Sequence, residues 1–156
     1  MNPSRNLHVR VLFAALAVAA FDTVFGFGLC KFTTATCTVP GFFRGIATYA
    51  PLGFPGYRTA QLGSLMHIGV ATCWTCAYTL VYTKSSALQR SAATIGGVLA
   101  AAVAVGFIVW LTMDLVVLPV VGHGRHTSVT SRNFWILLFG HPIFVGLPIT
   151  AVVRKG

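Results

Sequence analysis

Four apolar runs constrain this chain more than any other feature: Val11–Leu29, Ala60–Thr83, Ala92–Val121 and Phe134–Val153. Each comes close to or passes the ~20 residues that a helix needs to cross ~30 Å of hydrocarbon. In that solvent each spanning segment must satisfy its own backbone N–H and C=O groups, and runs of this length do so as helices. With 56% hydrophobic and 8% charged residues, the composition is that of a chain largely surrounded by lipid. The reading is all-α: an integral membrane four-helix bundle, one transmembrane domain over residues 1–156, made of two helical hairpins.

The charge balance sets the expected partners. Eleven basic residues against two acidic ones give a formal charge of +9. The basic residues fall almost wholly in loops and ends. They suit anionic lipid headgroups rather than nucleic acid, which needs a clustered, water-exposed basic face. Four crossings put both termini on one side, flanked by Arg5, Arg10, Lys84, Arg90, Arg154 and Lys155. Lys31, Arg44, Arg58, Arg125 and Arg132 lie on the other. The first group hugs the helix ends, where basic residues set orientation, so the termini are expected in the cytoplasm of a bacterial inner membrane. Arg5 and Arg10 ahead of Ala17-Val18-Ala19 mimic a signal peptide, but the apolar run continues to Leu29 and the helix is expected to stay.

Along the chain, Ala14, Ala15, Ala17, Ala19 and Ala20 let another helix approach the first one closely. The loop 30–59 is not hydrophilic. Phe32, Phe42, Phe43, Ile46, Tyr49 and Tyr57 predict a segment lying at the interface, with a short helix over Phe42–Ala50 after Pro40-Gly41. Lys84–Ser91 is expected as a polar turn. Small residues from Gly96 to Gly106 predict tight packing of the third helix, and His141-Pro142 with Pro148 predicts a kink in the fourth.

The chemistry starts from the acidic residues. Asp22 and Asp114 are the only two, and both lie inside apolar runs. A charge at that depth costs about 3 kcal/mol on insertion scales, so such a group normally faces a partner or a cavity. Each hairpin repeats one pattern, with an Asp late in its outward helix (Asp22, Asp114) and a His early in its inward one (His67, His141). All four lie about seven or eight residues from the outer end, roughly 10–12 Å deep. The hairpins would then be related by a pseudo-two-fold axis along the membrane normal, with a site at their interface. Two carboxylates and two imidazoles can hold a transition metal ion, relay a proton or bind a transported cation. They can equally pair as polar glue between helices, in an accessory or structural subunit of a larger membrane complex or homo-oligomer. His67 and His141 on parallel helices would also permit bis-histidine ligation of a b-type haem, against which the adjacent carboxylates count.

The cysteines carry a rival reading. Cys73-Trp74-Thr75-Cys76 is a C-x-x-C, and Cys30 and Cys37 flank the start of the outer loop, where they would form a structural disulfide if that loop is periplasmic. This layout resembles the quinone-coupled DsbB and vitamin K epoxide reductase families, which implies membrane thiol–disulfide exchange. The departure is depth: this C-x-x-C lies some 20 Å into its helix. Thiols in apolar surroundings are poor nucleophiles, and Cys73 and Cys76 are expected as small packing residues. His123 and His126, in Gly122-His123-Gly124-Arg125-His126, could act as an entry site for a metal ion, but solvated loop histidines are commoner. No Gly-rich phosphate loop and no Ser/His/Asp set in a water-facing cleft appears, so soluble-type catalysis is not expected.

Leu62-Gly63-Ser64-Leu65-Met66-His67, Met113-Asp114-Leu115-Val116-Val117-Leu118-Pro119 and His141-Pro142-Ile143-Phe144-Val145-Gly146-Leu147-Pro148-Ile149, together with Gly45-Ile46-Ala47, resemble a family of small bacterial four-helix membrane proteins. The resemblance implies the four-helix architecture and points to the same Asp and His positions. It implies no activity.

Overall fold

A computed structural model describes residues 3–50, 56–122 and 124–154, with side chains from residue 7 onward. All regular structure among them is helical. The elements are α1 (Pro3–Thr33), α2 (Val39–Ala47), α3 (Ala60–Lys84), α4 (Ser86–Ser91) and α5 (Ile95–Thr112). A π-helical turn, Met113–Val117, carries α5 on into α6 (Leu118–Val121). In the same way α7 (Arg132–His141) passes through Pro142–Gly146 into α8 (Leu147–Val153). Leu7–Thr33, Ala60–Lys84, Ile95–Val121 and Arg132–Val153 are each long and apolar enough to cross a membrane.

Hydroxyl caps set several helix starts, because a Ser or Thr oxygen accepts one of the otherwise unpaired first-turn N–H groups. Thr59 accepts from Leu62, Ser131 from Phe134 and Thr38 from Gly41. The same device corrects two expectations. Ser85 accepts from Leu88, so the polar segment after Lys84 is the short helix α4 rather than a turn. Thr94 accepts from Gly97, so the third span starts at Ile95 instead of Ala92. The interfacial helix starts at Val39, three residues earlier than expected, because Thr38 caps it. The first helix does not end at Leu29. It continues to Thr33, whose hydroxyl donates to the Leu29 carbonyl, while the Lys31 ammonium donates to the Ala35 carbonyl just beyond.

No break interrupts the fourth span at Pro142. The helix widens there by a residue, and the Leu147 N–H reaches back five positions to the Pro142 carbonyl. The proline stands at the first position of this π-turn.

The last span is the central one. It packs on α1 on one side and on α5 on the other, while α3 packs on α1 and α2. The order across the bundle is therefore α3, α1, α7/α8, α5. Small residues make the closest approach: a Cβ on Gly106 would overlap the backbone of Pro142, and one on Gly146 would overlap the Ala102 carbonyl. Ala14, Val18 and Ala19 of α1 close the core against Val145, Ile149 and Val153.

Candidate functional site

Asp22 enters the bundle from α1 at the seam between the two hairpins. Its Oδ2 lies 3.7 Å from His67 Nε2 on α3, and its Oδ1 lies 3.9 Å from His141 Nε2 on α7. Three of the four expected residues therefore meet, with one carboxylate between two imidazoles. Counted along their helices from the outer ends, they lie roughly 10–16 Å deep.

The ring protons are fixed by backbone carbonyls, which can only accept. His141 Nδ1 donates to the Leu137 carbonyl at 2.6 Å, and His67 Nε2 donates to the Ala19 carbonyl at 3.2 Å. In a neutral His141, Nε2 then carries a bare lone pair, and this lone pair faces Asp22 Oδ1. Two acceptors confront one another unless a proton resides on one of them. At 3.9 Å the Asp22–His141 contact is wider than a direct hydrogen bond, and the Nε2–H of His67 is given to the Ala19 carbonyl, with Asp22 Oδ2 3.7 Å away.

Aromatic rings enclose the triad. Trp110 lies 4.8 Å from the His141 ring, and Phe25 meets it edge-on at 6.2 Å while stacking on Phe144. Phe42 and Phe43 of α2 approach His67 edge-on. Two glycines make this enclosure possible: a Cβ on Gly140 would overlap the Phe25 ring, and one on Gly63 would overlap the Phe43 carbonyl. α2 therefore covers the side of the site away from the termini. A groove of about 300 Å³ between α1 and α3 reaches His67 beside Ala20, Thr23 and Ser64.

Asp114 does not join the others. The expected Asp114–His141 pair is absent, and with it the strict two-fold repeat of the site. The Asp114 carboxylate is fully buried, and Oδ1 accepts the Thr127 N–H from the outer loop at 3.0 Å. The reason is the π-turn it sits in, together with Trp110 one turn below, whose ring occupies the space beside His141. Asp114 Oδ2 and Trp110 Nε1 are buried without a hydrogen-bond partner among the described residues. Arg125 ties the same loop to the end of α2, donating to both Thr48 oxygens and to the Gly122 carbonyl and lying over the Tyr49 ring.

The metal and haem expectations meet this geometry unevenly. Each imidazole addresses a different oxygen of Asp22, and among the described residues no three His, Cys, Asp or Glu side chains converge as ligands of one ion. A porphyrin between His67 and His141 would have to displace the carboxylate that already stands between them. Of the two expected entry-site histidines, His126 is exposed, with its Nδ1 3.3 Å from the Thr127 carbonyl oxygen, and His123 lies outside the described residues.

Cys30 and Cys37 form a disulfide at the outer end of α1. Cys73 and Cys76 are free and exposed on the surface of α3, so they are not the packing residues expected. Sequence reasoning also missed Phe25, Gly63, Gly140 and Trp110 as builders of the site. Gly63 is the legible one, since a glycine inside a spanning helix signals a close approach. No protein-family profile, curated protein or solved structure matches the chain, so its chemistry is read from its own residues.

Proposed function

We propose that this is a membrane protein that takes up and passes a proton at the Asp22–His67–His141 triad. One observation carries the reading: His141 Nδ1 is committed to a backbone carbonyl, so its other nitrogen faces a carboxylate oxygen with room for one proton between them. Intramembrane Asp and His side chains are the usual material of proton relays. The aromatic enclosure keeps the pair from bulk water, and the groove beside His67 offers an approach from the side. In this reading the protein is a conductor or coupling subunit rather than an enzyme. The disulfide supports an assignment of the Cys30–Cys37 end to an oxidising compartment, with the termini in the cytoplasm of a bacterial inner membrane.

Proton flux into liposomes tests the proposal. Vesicles with the reconstituted protein and a trapped pH dye are driven by a potassium diffusion potential. The wild type should acidify them well above empty vesicles. Asp22→Asn should lose that flux, and Asp114→Asn should keep it. Flux no greater than in empty vesicles would reduce the triad to helix pairing. Equal loss in both variants would restore a shared four-residue site.

A further inference from the structure

We propose that Asp114 is a positioning residue for the triad: through the outer loop it holds α2 in place over His67. Asp114 is the acid that the triad leaves out, and the contacts around it lead back to the triad. Its bearing on proton transfer rests on the function proposed above, whereas the closure itself does not.

Contacts in series make the connection. Asp114, fully buried in its π-turn, accepts the Thr127 N–H at Oδ1 over 3.0 Å. Two residues earlier in the loop, the Arg125 guanidinium donates to the Thr48 hydroxyl at 3.1 Å and to the Thr48 carbonyl at 2.8 Å. Thr48 is the residue that ends α2. The next ring, Tyr49, lies under the guanidinium at 4.4 Å and against Gly122, where a Cβ would overlap it. From this anchored end, α2 runs back to set Phe43 and Phe42 beside the His67 ring, at 6.1 and 6.5 Å.

α2 needs such an anchor. Its nine residues fall short of the ~12–15 at which an isolated helix is even marginal in water, so its place is set by what it touches. At its start the Cys30–Cys37 disulfide ties it to α1, one residue before the Thr38 cap. At its end Arg125 is the tie, and this exposed cation meets neutral oxygens and an aromatic face rather than a carboxylate. Exposed contacts of that kind hold little unless the guanidinium is already fixed in position. The loop fixes it from both sides: the Gly124 N–H donates to the Pro119 carbonyl, and the Thr127 N–H donates to Asp114. Because Asp114 is sealed from water, no solvent molecule stands ready to replace that second bond.

The test is the rate at which diethyl pyrocarbonate modifies each histidine of the detergent-purified protein, read by mass spectrometry with the exposed His8 as reference. Asp114→Leu and Arg125→Ala should each speed modification of His67 about tenfold, the equivalent of about 1.4 kcal/mol of lost closure. Asp114→Asn, which keeps an oxygen for Thr127, should stay close to the wild type. Thr127→Pro, which removes the N–H and leaves Asp114 in place, should match Asp114→Leu. The double variant Asp114→Leu/Arg125→Ala should be no faster than the faster single one, because both release the same closure. His141, enclosed by Trp110 and Phe25 rather than by α2, should keep its rate throughout. A His67 rate unchanged in both Asp114→Leu and Thr127→Pro would overturn the proposal. So would a double variant whose acceleration is the product of the two singles, which would make the two ties independent. Equal acceleration of His141 and His67 would also overturn it, reducing Asp114 to a general support of the fold. These rates do not depend on proton flux: a protein that shows them and conducts no proton would keep the closure and lose the function proposed above.

Discussion

Asp22 and Asp114 look alike in the sequence and are treated differently by the fold. Asp22 faces two imidazoles and remains partly open, whereas Asp114 is sealed and holds a loop N–H. The difference gives a stability prediction. Asp114→Leu removes the acceptor of the Thr127 N–H and should destabilise the protein by about 1–3 kcal/mol, the cost of leaving a buried donor unpaired. Asp114→Asn keeps an oxygen there and should cost clearly less, and unfolding in a mixed-detergent series would measure both. That the two acids would be met by partners inside the protein was legible from their place within apolar runs. Their pairing was not, because a shared depth says nothing about rotation around each helix. The π-turn at Met113–Val117 shifts that rotation for Asp114.

At the scale of elements, the four spans follow from hydropathy, while their ends follow from single capping hydroxyls. Ser85 and Thr94 turned an expected turn into a helix and moved the start of the third span. The short helix α2 is the element with the clearest consequence for the site. It was legible as an aromatic interfacial segment, but its seat over His67 depends on the bare surface at Gly63, which only the packing reveals. Gly63→Ala should lift α2 from α3, at a cost of about 1–3 kcal/mol for overpacking. The same variant should speed modification of His67 by a water-soluble imidazole reagent. An unchanged modification rate would mean that α2 does not cover the site.

The four spans pack unevenly: the last lies between α1 and α5, and α3 and α5 face one another across a gap. Two equivalently packed hairpins would have produced two equivalent Asp–His pairs. The uneven packing produces one triad, at Asp22. The hairpin pattern in the sequence is therefore not reproduced as site symmetry. The fold also divides the cysteines between two environments. After reduction, Cys30 and Cys37 should react with a membrane-impermeant maleimide added from one side only, and Cys73 and Cys76 only with a lipid-soluble one. Reducing the disulfide should cost about 2 kcal/mol, as expected for the short loop it closes. Labelling of Cys73 and Cys76 by the impermeant reagent would contradict a spanning α3.

A proton shared between Asp22 and His141 is the central proposal. Nitrogen NMR of the histidine-labelled protein in lipid, followed across a pH titration, reads that proton directly. The predicted result is a His141 Nδ1 that stays protonated throughout and an Nε2 whose signal moves with pH, in a way that Asp22→Asn alters. A His141 Nε2 signal that is the same in the wild type and in Asp22→Asn at every pH would contradict it.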